Sequence, residues 1–247
     1  MSEPFDELAE VYEAMIDWPK RLAHEEPFFR RLVGEIKGRR VLDAACGTGR
    51  HAAMLHRWGL EVEGADFSPQ MIARCVQQFG QPPGLRWVVR SFDEAPGGTF
   101  ELVLCVGNSL ALAGGEEAAA RAVHALATAT APGGILVLHV LNLWSLPDGP
   151  LVWQKCLRTP IAGREALVLK GVHRCGACGF VELVVADAQG TLRQTQSVPF
   201  VGLRAESLAQ WAHQAGLENV QCYGGYAGQP YLEAQSADLV MTARRPG

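Results

Sequence analysis

The chain has 247 residues, of which 48% are hydrophobic and 19% are charged, and this composition predicts a large folded core and excludes a disordered chain. The formal net charge is −4 and the basic pairs are scattered. Because duplex-binding proteins usually carry a basic stripe, we expect no nucleic-acid partner and favour a small-molecule substrate.

The first part of the chain predicts helices and then an alternation of strands and helices. Residues 5–33 have apolar residues at helical spacing, with Pro19 and Pro27 as expected breaks. Strands are predicted at 40–45, 60–65, 85–90, 100–106 and 135–141, and helices at 50–58, 68–79 and 116–130. Such alternation predicts a parallel sheet covered by helices on both faces.

A different pattern follows from about residue 151 to residue 199. No helix is indicated there, and three short strands are expected at 165–173, 180–187 and 191–198. A helix at 204–215 and strands at 220–223 and 239–243 then return to the first pattern. We therefore predict three parts: an N-terminal helical lid (1–37), a core (38–149 and 200–247) and a small antiparallel β insertion (150–199).

The loop after the first predicted strand carries the strongest functional signal. Gly47 and Gly49 allow a tight turn and a close approach of backbone to ligand, and the next helix presents free N–H groups. Asp66 ends the second strand, where a carboxylate can accept hydrogen bonds from both hydroxyls of a ribose. These features predict a nucleoside site, which NAD, FAD or S-adenosylmethionine could occupy.

Specific motifs favour S-adenosylmethionine. The segment 41–49, Val-Leu-Asp-Ala-Ala-Cys-Gly-Thr-Gly, resembles motif I of class I S-adenosylmethionine-dependent methyltransferases. Residues 62–71 and 100–103 resemble two further motifs of that family, with Glu101 in place of the usual Asp. The resemblance implies an α/β, Rossmann-like, doubly wound sheet of seven strands whose last strand is antiparallel.

The resemblance also implies roles for residues along the cofactor site. The loop at 45–47 would hold the methionine portion with Asp43 ordering it, Asp66 would bind the ribose, and the other positions would line the adenine slot or touch the cofactor. The implied cofactor-binding residues are Asp43, Ala45, Cys46, Gly47, Gly49, Asp66, Phe67, Met71, Ser91, Phe92, Cys105 and Val106.

A closer resemblance concerns the acceptor. The segment 104–109, Leu-Cys-Val-Gly-Asn-Ser, is similar to glycine/sarcosine-type and amino-sugar small-molecule N-methyltransferases. It implies acceptor contacts at Asn108 and Ser109, and Asn142 faces the same mouth after the fifth strand. The N-terminal Tyr12, Trp18 and Arg21 resemble a lid that closes over the cofactor.

Methyl transfer is an in-line displacement that needs orientation and a dry pocket more than covalent help. An amine acceptor must be unprotonated, and His139 is the candidate base beside Asn108. The sequence leaves plainer roles open for these residues. His139 could be a core histidine, Asn108 could bond its own loop, and Tyr12 and Arg21 could only pack their helix.

Two further features leave alternatives open. His173, Cys175 and Cys178 supply three zinc ligands where a structural site needs four, so we expect no metal. The seven cysteines, the absence of a long apolar run and the acidic N-terminus predict a cytoplasmic protein without membrane contact, while monomer and homodimer both stay open.

The function expected is methylation of a small molecule, at nitrogen, with S-adenosylmethionine as cofactor. The alternatives are a non-catalytic cofactor-binding protein, a methyltransferase acting on RNA or protein, and a nucleotide-dependent oxidoreductase. The last would require a glycine at position 45 or 46, and the sequence has neither.

Overall fold

The computed structural model describes residue 11 and residues 13–161 and 163–247. Its helices are α1 (Trp18–Glu35), α2 (Arg50–Arg57), α3 (Pro69–Phe79), α4 (Glu116–Ala129) and α5 (Ala205–Gln214). Its strands are β1 (Arg40–Ala44), β2 (Glu61–Asp66), β3 (Leu85–Val89), β4 (Phe100–Cys105), β5 (Thr130–Leu141), β6 (Val152–Ile161), β7 (Arg164–Cys175), β8 (Cys178–Asp187), β9 (Leu192–Val201), β10 (Glu218–Tyr223) and β11 (Asp238–Arg244). None of the described helices is long and apolar enough to cross a bilayer.

Seven strands form the central sheet in the order β10-β11-β5-β4-β1-β2-β3. Strands β1 to β5 pair in parallel, whereas β11 runs antiparallel to both β5 and β10. The predicted doubly wound, seven-stranded sheet with an antiparallel last strand is therefore confirmed. The order reverses beside β1, so the loops after β1 and β4 diverge there and leave a crevice at the carboxyl ends.

Alternate side chains of each central strand serve two separate apolar layers. In β4, Val103 and Cys105 pack with α4 and α5, while Leu102 and Leu104 pack with α1 and α2. All four side chains are buried. Because strand side chains alternate between faces, a strand covered on both sides is apolar at every position, as these sequences are.

Helix α1 begins where the sequence indicates but does not break at Pro27. Asp17 caps it by accepting a hydrogen bond from Lys20 N–H, and Pro19 occupies the first turn, where its missing N–H costs nothing. Pro27 lies inside the continuous helix, so the predicted break is wrong. The apolar face that includes Phe28 and Phe29 is buried against the sheet, and this packing outweighs the local penalty.

The insertion forms a separate antiparallel sheet in the order β6-β7-β8-β9. The three predicted strands match β7, β8 and β9, and β6 is an additional edge strand that we did not predict. Its sequence mixes polar and apolar residues without regular alternation and contains Pro160, and most of its residues are exposed. An edge strand covered so little carries no apolar alternation by which the sequence could reveal it.

Candidate active site

A first cavity of about 410 Å³ opens at the carboxyl ends of β1, β2 and β4. The loops that follow these strands, the short helix at Ser109–Leu112 and the start of α1 form its wall. The lining residues are Trp18, Arg21, Ala45, Cys46, Gly47, Thr48, His51, Asp66, Phe67, Met71, Ser91, Phe92, Asp93, Val106, Gly107, Ser109, Leu112, Ala113 and Ala118.

Asp66 joins two parts of this wall. Its Oδ2 accepts a hydrogen bond from Gly47 N–H at 2.8 Å, and its Oδ1 accepts one from Ser68 N–H at 3.0 Å. Ser68 itself caps α3 by accepting a hydrogen bond from Met71 N–H. The carboxylate is therefore held in a fixed position at the edge of the cavity, where a ligand can reach it.

The two glycines of the loop have different tasks. Gly47 has a φ of 53°, and a Cβ added there would meet no protein atom within 4 Å, so the backbone faces open cavity. Gly49 has a φ of 78° and precedes α2, and an added Cβ would lie 2.6 Å from the Trp87 ring. Gly47 thus offers bare backbone to a ligand, while Gly49 permits the turn and the close approach of Trp87.

Asp43 is fully buried at the end of β1. It lines neither this cavity nor the neighbouring one between α1 and the insertion sheet. Its two carboxylate oxygens have no hydrogen-bond partner within the described part of the chain. Burial raises the pKa of Asp43 to about 6, although the charge of His51 partly opposes this. A buried carboxyl without a partner is costly in the folded protein, and a cation placed beside it would offset that cost.

The start of α1 covers the first cavity through an ionic network. Glu25 is buried and pairs with Arg21 Nε at 2.8 Å and with His51 Nε2 at 2.5 Å. Burial alone would raise the pKa of Glu25, but the hydrogen bonds and charges of His51 and Arg21 lower it to about 2. Arg21 also lies over the Trp18 ring, 5.2 Å from its centroid. The network holds Trp18 and Arg21 in place across the cavity from the loop after β1.

A second contact ties the N-terminal segment to the same loop. Glu13 accepts hydrogen bonds from the Thr48 hydroxyl and, at 2.6 Å, from the Arg50 guanidinium. The predicted lid residue Tyr12 lies outside the described residues.

A second cavity of about 600 Å³ adjoins the first, and Arg21, Gly107 and Leu112 line both. Its wall comes from α1 and the residues before it, from the loop after β4 and from the insertion sheet. The remaining lining residues are Met15, Ile16, Asp17, Lys20, His24, Asn108, Lys155, Lys170, Val181, Leu183 and Val198. Two molecules bound in these cavities would meet at the three shared residues.

The comparisons with known proteins agree with this geometry. The family model described as a methyltransferase domain matches residues 41–134, which include β1, β2, β4 and the loops that line the first cavity. In sequence, this part of the chain therefore matches a methyltransferase domain.

Two relatives with assigned activities match a larger part of the chain than the family model does. A glycine/sarcosine N-methyltransferase of Parasynechococcus marenigrum is 32% identical over 153 residues, which cover 60% of the chain and 54% of the relative. A glycine N-methyltransferase of Oryctolagus cuniculus is 28% identical over 60% of the chain and 59% of its own length. The matches thus span little more than half the length of these relatives.

Solved structures extend the likeness over nearly the whole chain. A sugar N-methyltransferase from Streptoalloteichus sp is 27% identical with a TM-score of 0.71, covering 92% of this chain and 88% of that one. A methyltransferase from Streptomyces caelestis has a TM-score of 0.78 at 20% identity, covering 97% and 96% of the two chains. The latter shows a shared fold, including the insertion sheet.

The residues that line the first cavity fit S-adenosylmethionine. Asp66 offers a carboxylate for a ribose, Gly47 leaves space where a Cβ would stand, and the unpartnered Asp43 favours a nearby positive charge. Most of the predicted cofactor residues line this cavity: Trp18, Arg21, Ala45, Cys46, Gly47, Asp66, Phe67, Met71, Ser91, Phe92 and Val106.

Besides Asp43, two predicted cofactor residues lie away from the first cavity. Gly49 does not line the cavity and serves the turn into α2. Cys105 is fully buried in the apolar layer beneath α4, and burial raises the pKa of its thiol to about 12. Both residues support the loops that bear the site, and a direct contact with a cofactor stays a prediction for them.

Asn108 and Ser109 line different cavities. Asn108 lines the second cavity with a φ of 73°, and its Oδ1 accepts a hydrogen bond from Leu141 N–H at 2.9 Å. That bond leaves the Nδ2 donors of the side chain available to the cavity. Ser109 lines the first cavity and donates its hydroxyl to Val106 O. An acceptor contact thus stays a prediction for Asn108.

His139 supports the site from behind and is not a free base. Its Nδ1 accepts hydrogen bonds from the Tyr226 hydroxyl at 3.0 Å and from Gly107 N–H at 3.3 Å, while Nε2 lies 3.2 Å from Asp238 Oδ1. Both nitrogens are occupied in the neutral tautomer that carries its proton on Nε2. Because His139 is buried and lines neither cavity, these bonds indicate positioning of the Gly107 loop, and catalysis by His139 stays a prediction that the geometry does not support.

Asn142 is held by hydrogen bonds within the protein, and its substrate contact stays a prediction. Its Nδ2 donates to Glu233 O and Ser236 O, and its Oδ1 accepts from Trp144 N–H and the Tyr231 hydroxyl. The side chain is buried and lines neither cavity, so all its hydrogen-bonding capacity is used within the protein. The predicted substrate contact would break this set of bonds.

The suspected metal ligands in the insertion have other partners. His173 Nε2 lies 3.1 Å from Glu182 Oε1, and its ring packs on Phe180. Cys175 and Cys178 face each other at the turn between β7 and β8 and are free. Within the described residues, no group of three or more acidic, cysteine or histidine side chains is placed to hold a metal ion.

Sequence reasoning missed several lining residues. Asp93 stands on the cavity wall just beyond Ser91, whose hydroxyl donates to it. Because Asp93 follows the third strand closely, the sequence could have predicted that its carboxylate accepts a hydrogen bond from the amine of an adenine. His51 and the lysines of the insertion had no such signal, because they reach the site only through tertiary packing.

Proposed function

We propose that the protein is an S-adenosylmethionine-dependent methyltransferase that methylates a nitrogen atom of a small molecule. The observation that carries the proposal is the junction of the two cavities at Arg21, Gly107 and Leu112, directly beside the loop of the methyltransferase domain. The names of the relatives, which are glycine, sarcosine and sugar N-methyltransferases, support nitrogen as the accepting atom.

When bound, S-adenosylmethionine supplies a methyl group already activated by the sulfonium charge. The protein's part is to bind and orient: Asp66 holds the ribose, Asp93 the adenine edge, and the backbone at Gly47 the methionine portion. Trp18 and Arg21 cover the junction and exclude water from it. Fixed orientation and a dry site account for large rate enhancements without covalent catalysis.

The second cavity favours a small acceptor over a macromolecule. Its volume of about 600 Å³ lies within the range of small-molecule sites, and its wall comes from three separate parts of the chain. A non-catalytic cofactor-binding protein would need no such adjoining cavity. The cytoplasm stays the proposed location, and all seven cysteines, which lie in the described part of the chain, are free as that compartment favours.

Calorimetric titration with S-adenosylmethionine tests the proposal. Wild type is expected to bind at micromolar level, and Asp66→Ala to weaken binding at least about tenfold, since a lost hydrogen bond to a charged group costs about 1.5–3 kcal/mol. Asp66→Asn keeps the volume and separates lost charge from lost packing.

Asp187→Asn, at the end of β8, is the matched control and should bind like wild type. Binding of NAD without binding of S-adenosylmethionine would contradict the proposed function.

A further inference from the structure

We propose that the methyl acceptor carries an anionic group, a carboxylate or a phosphate, which Lys155 and Lys170 of the insertion sheet bind in the second cavity. This inference rests on the proposed function, since it concerns the acceptor of the same reaction. It assigns the insertion a specific task in choosing the substrate.

The second cavity is strongly cationic. Lys20, Arg21, Lys155 and Lys170 line it, and Asp17 is the only carboxylate among its described lining residues. Asp17 caps α1 by accepting from Lys20 N–H, so part of its capacity is already used. A cleft lined by charges of one sign concentrates ligands of the other sign.

The two insertion lysines face each other directly. In the antiparallel pairing of β6 with β7, Lys155 is the register partner of Lys170. Like charges directly opposite on neighbouring strands destabilise a sheet. Burial and the neighbouring charge of Arg21 lower the pKa of both ammonium groups, and that of Lys170 is lowered further by Lys155. An anion bound between them would offset this repulsion.

The lysines differ in what already holds them. Lys155 Nζ donates to Met15 O at 2.7 Å, which directs it towards the residues before α1. Lys170 is partly buried, and its ammonium has no hydrogen bond or ion pair within residues 13–161 and 163–247. The other charged groups facing this region are His24 on the wall and Asp238, whose carboxylate pairs with His139. Lys170 therefore lines the second cavity with donors that a ligand bound there could use.

The same charges favour the reactive form of an amine acceptor. A positive potential disfavours a second positive charge, so it lowers the pKa of the acceptor's ammonium and increases the fraction of neutral amine. The nitrogen lone pair then forms the new N–C bond while the methyl–sulfur bond breaks, and that bond's electron pair stays on sulfur. The product ammonium loses one proton to water. This accounts for an acceptor site in which His139 is not a free base.

Pairs of acceptors with and without the anionic group test the inference, with kcat/KM calculated for the neutral-amine form because the anionic group also changes the basicity of the amine. Glycine is compared with glycinamide, and glucosamine 6-phosphate with glucosamine, by release of S-adenosylhomocysteine at constant ionic strength. The anionic member of at least one pair should have the higher kcat/KM, and the pair that responds distinguishes a carboxylate from a phosphate. A preference for the neutral member in both pairs would overturn the inference.

Variants link the preference to the lysines. Lys170→Met should raise KM for the anionic acceptor at least about tenfold, the effect of losing one charged hydrogen bond, with little change for its neutral partner. Lys155→Met should act in the same direction, and Lys37→Met, on the exposed segment after α1, is the control. Unchanged KM for the anionic acceptor in Lys170→Met would contradict the assignment.

Two readouts keep the test independent of the proposed function. Lys170→Met should bind S-adenosylmethionine like wild type, and its thermal midpoint without ligand should not fall, because one of two opposed charges is gone. A lower midpoint would show that Lys170 is a stabilising residue and not a ligand residue. Absence of cofactor binding in wild type would instead contradict the proposed function.

Discussion

Asp43 is a buried carboxyl whose charge we expect to lower the stability of the ligand-free protein and to favour binding of the cofactor. It lies fully buried without a hydrogen-bond partner among the described residues, and burial raises its pKa from 3.8 to about 6. Below pH 3.8 both the folded and the unfolded protein hold the proton, so there is no penalty. Between these two pH values only the folded protein holds it, and the free energy of unfolding falls as pH rises. The penalty is complete above pH 6.

We therefore predict that Asp43→Asn stabilises the protein without ligand at pH 7, by at most about 3 kcal/mol, because the variant has no charge to bury. The gain should shrink as the pH falls towards 4. Urea unfolding across this range measures it, and affinity for S-adenosylmethionine should fall in the same variant. A variant less stable than wild type at pH 7 and equal to it at pH 4 would contradict the burial cost.

Residues of the site differ in how far the sequence could predict them. Those on the loops after β1 and β2 were found because motif and strand end coincide, as with Gly47 and Asp66. The sequence could not reveal the hydrogen bonds that hold His139 and Asn142, because their partners, Tyr226, Asp238 and the backbone near residue 233, come from the far end of the chain. Hydrogen bonds across such separations leave no trace in local spacing.

Helix α1 provides a prediction at the level of an element. Pro27 lies in its interior, where it removes one backbone hydrogen bond, whereas Pro19 lies in the first turn, where no such bond exists. We predict that Pro27→Ala raises the free energy of unfolding by about 1 kcal/mol, less than the roughly 3 kcal/mol interior penalty because the unfolded chain also gains freedom.

Pro19→Ala is the matched control and should leave stability unchanged or slightly lower. Urea unfolding of both variants measures the difference. An equal response of the two prolines would mean that α1 accommodates Pro27 without the expected loss.

Among the elements, those with two covered faces were the easiest to predict. β1, β4 and β5 are apolar runs whose limits are marked by glycine or aspartate, and their order in the chain implies a parallel sheet. β6 was missed because it is exposed at a sheet edge. The break expected at Pro27 was wrong because burial of Phe28 and Phe29 decides the helix, and burial is set by the sheet beneath it.

The whole molecule consists of a seven-stranded sheet with its helices and a four-stranded insertion sheet that lines the second cavity. The seven-stranded sheet places the loops of the first cavity, α1 roofs them through Glu25, and the four-stranded insertion supplies Lys155 and Lys170 to the second cavity. Each part alone would leave the junction at Gly107 open. The methyl transfer that we propose would therefore draw on all three parts of the chain.

Transfer of an isotopically labelled methyl group tests the central claim most directly. The protein is incubated with S-adenosylmethionine that carries a trideuterated methyl group and with a panel of amino acids and amino sugars, and the products are analysed by mass spectrometry. We predict a labelled product methylated at nitrogen, with S-adenosylhomocysteine formed in equal amount. Binding of the cofactor without transfer to any amine of the panel, or label found only on oxygen or carbon, would contradict the account.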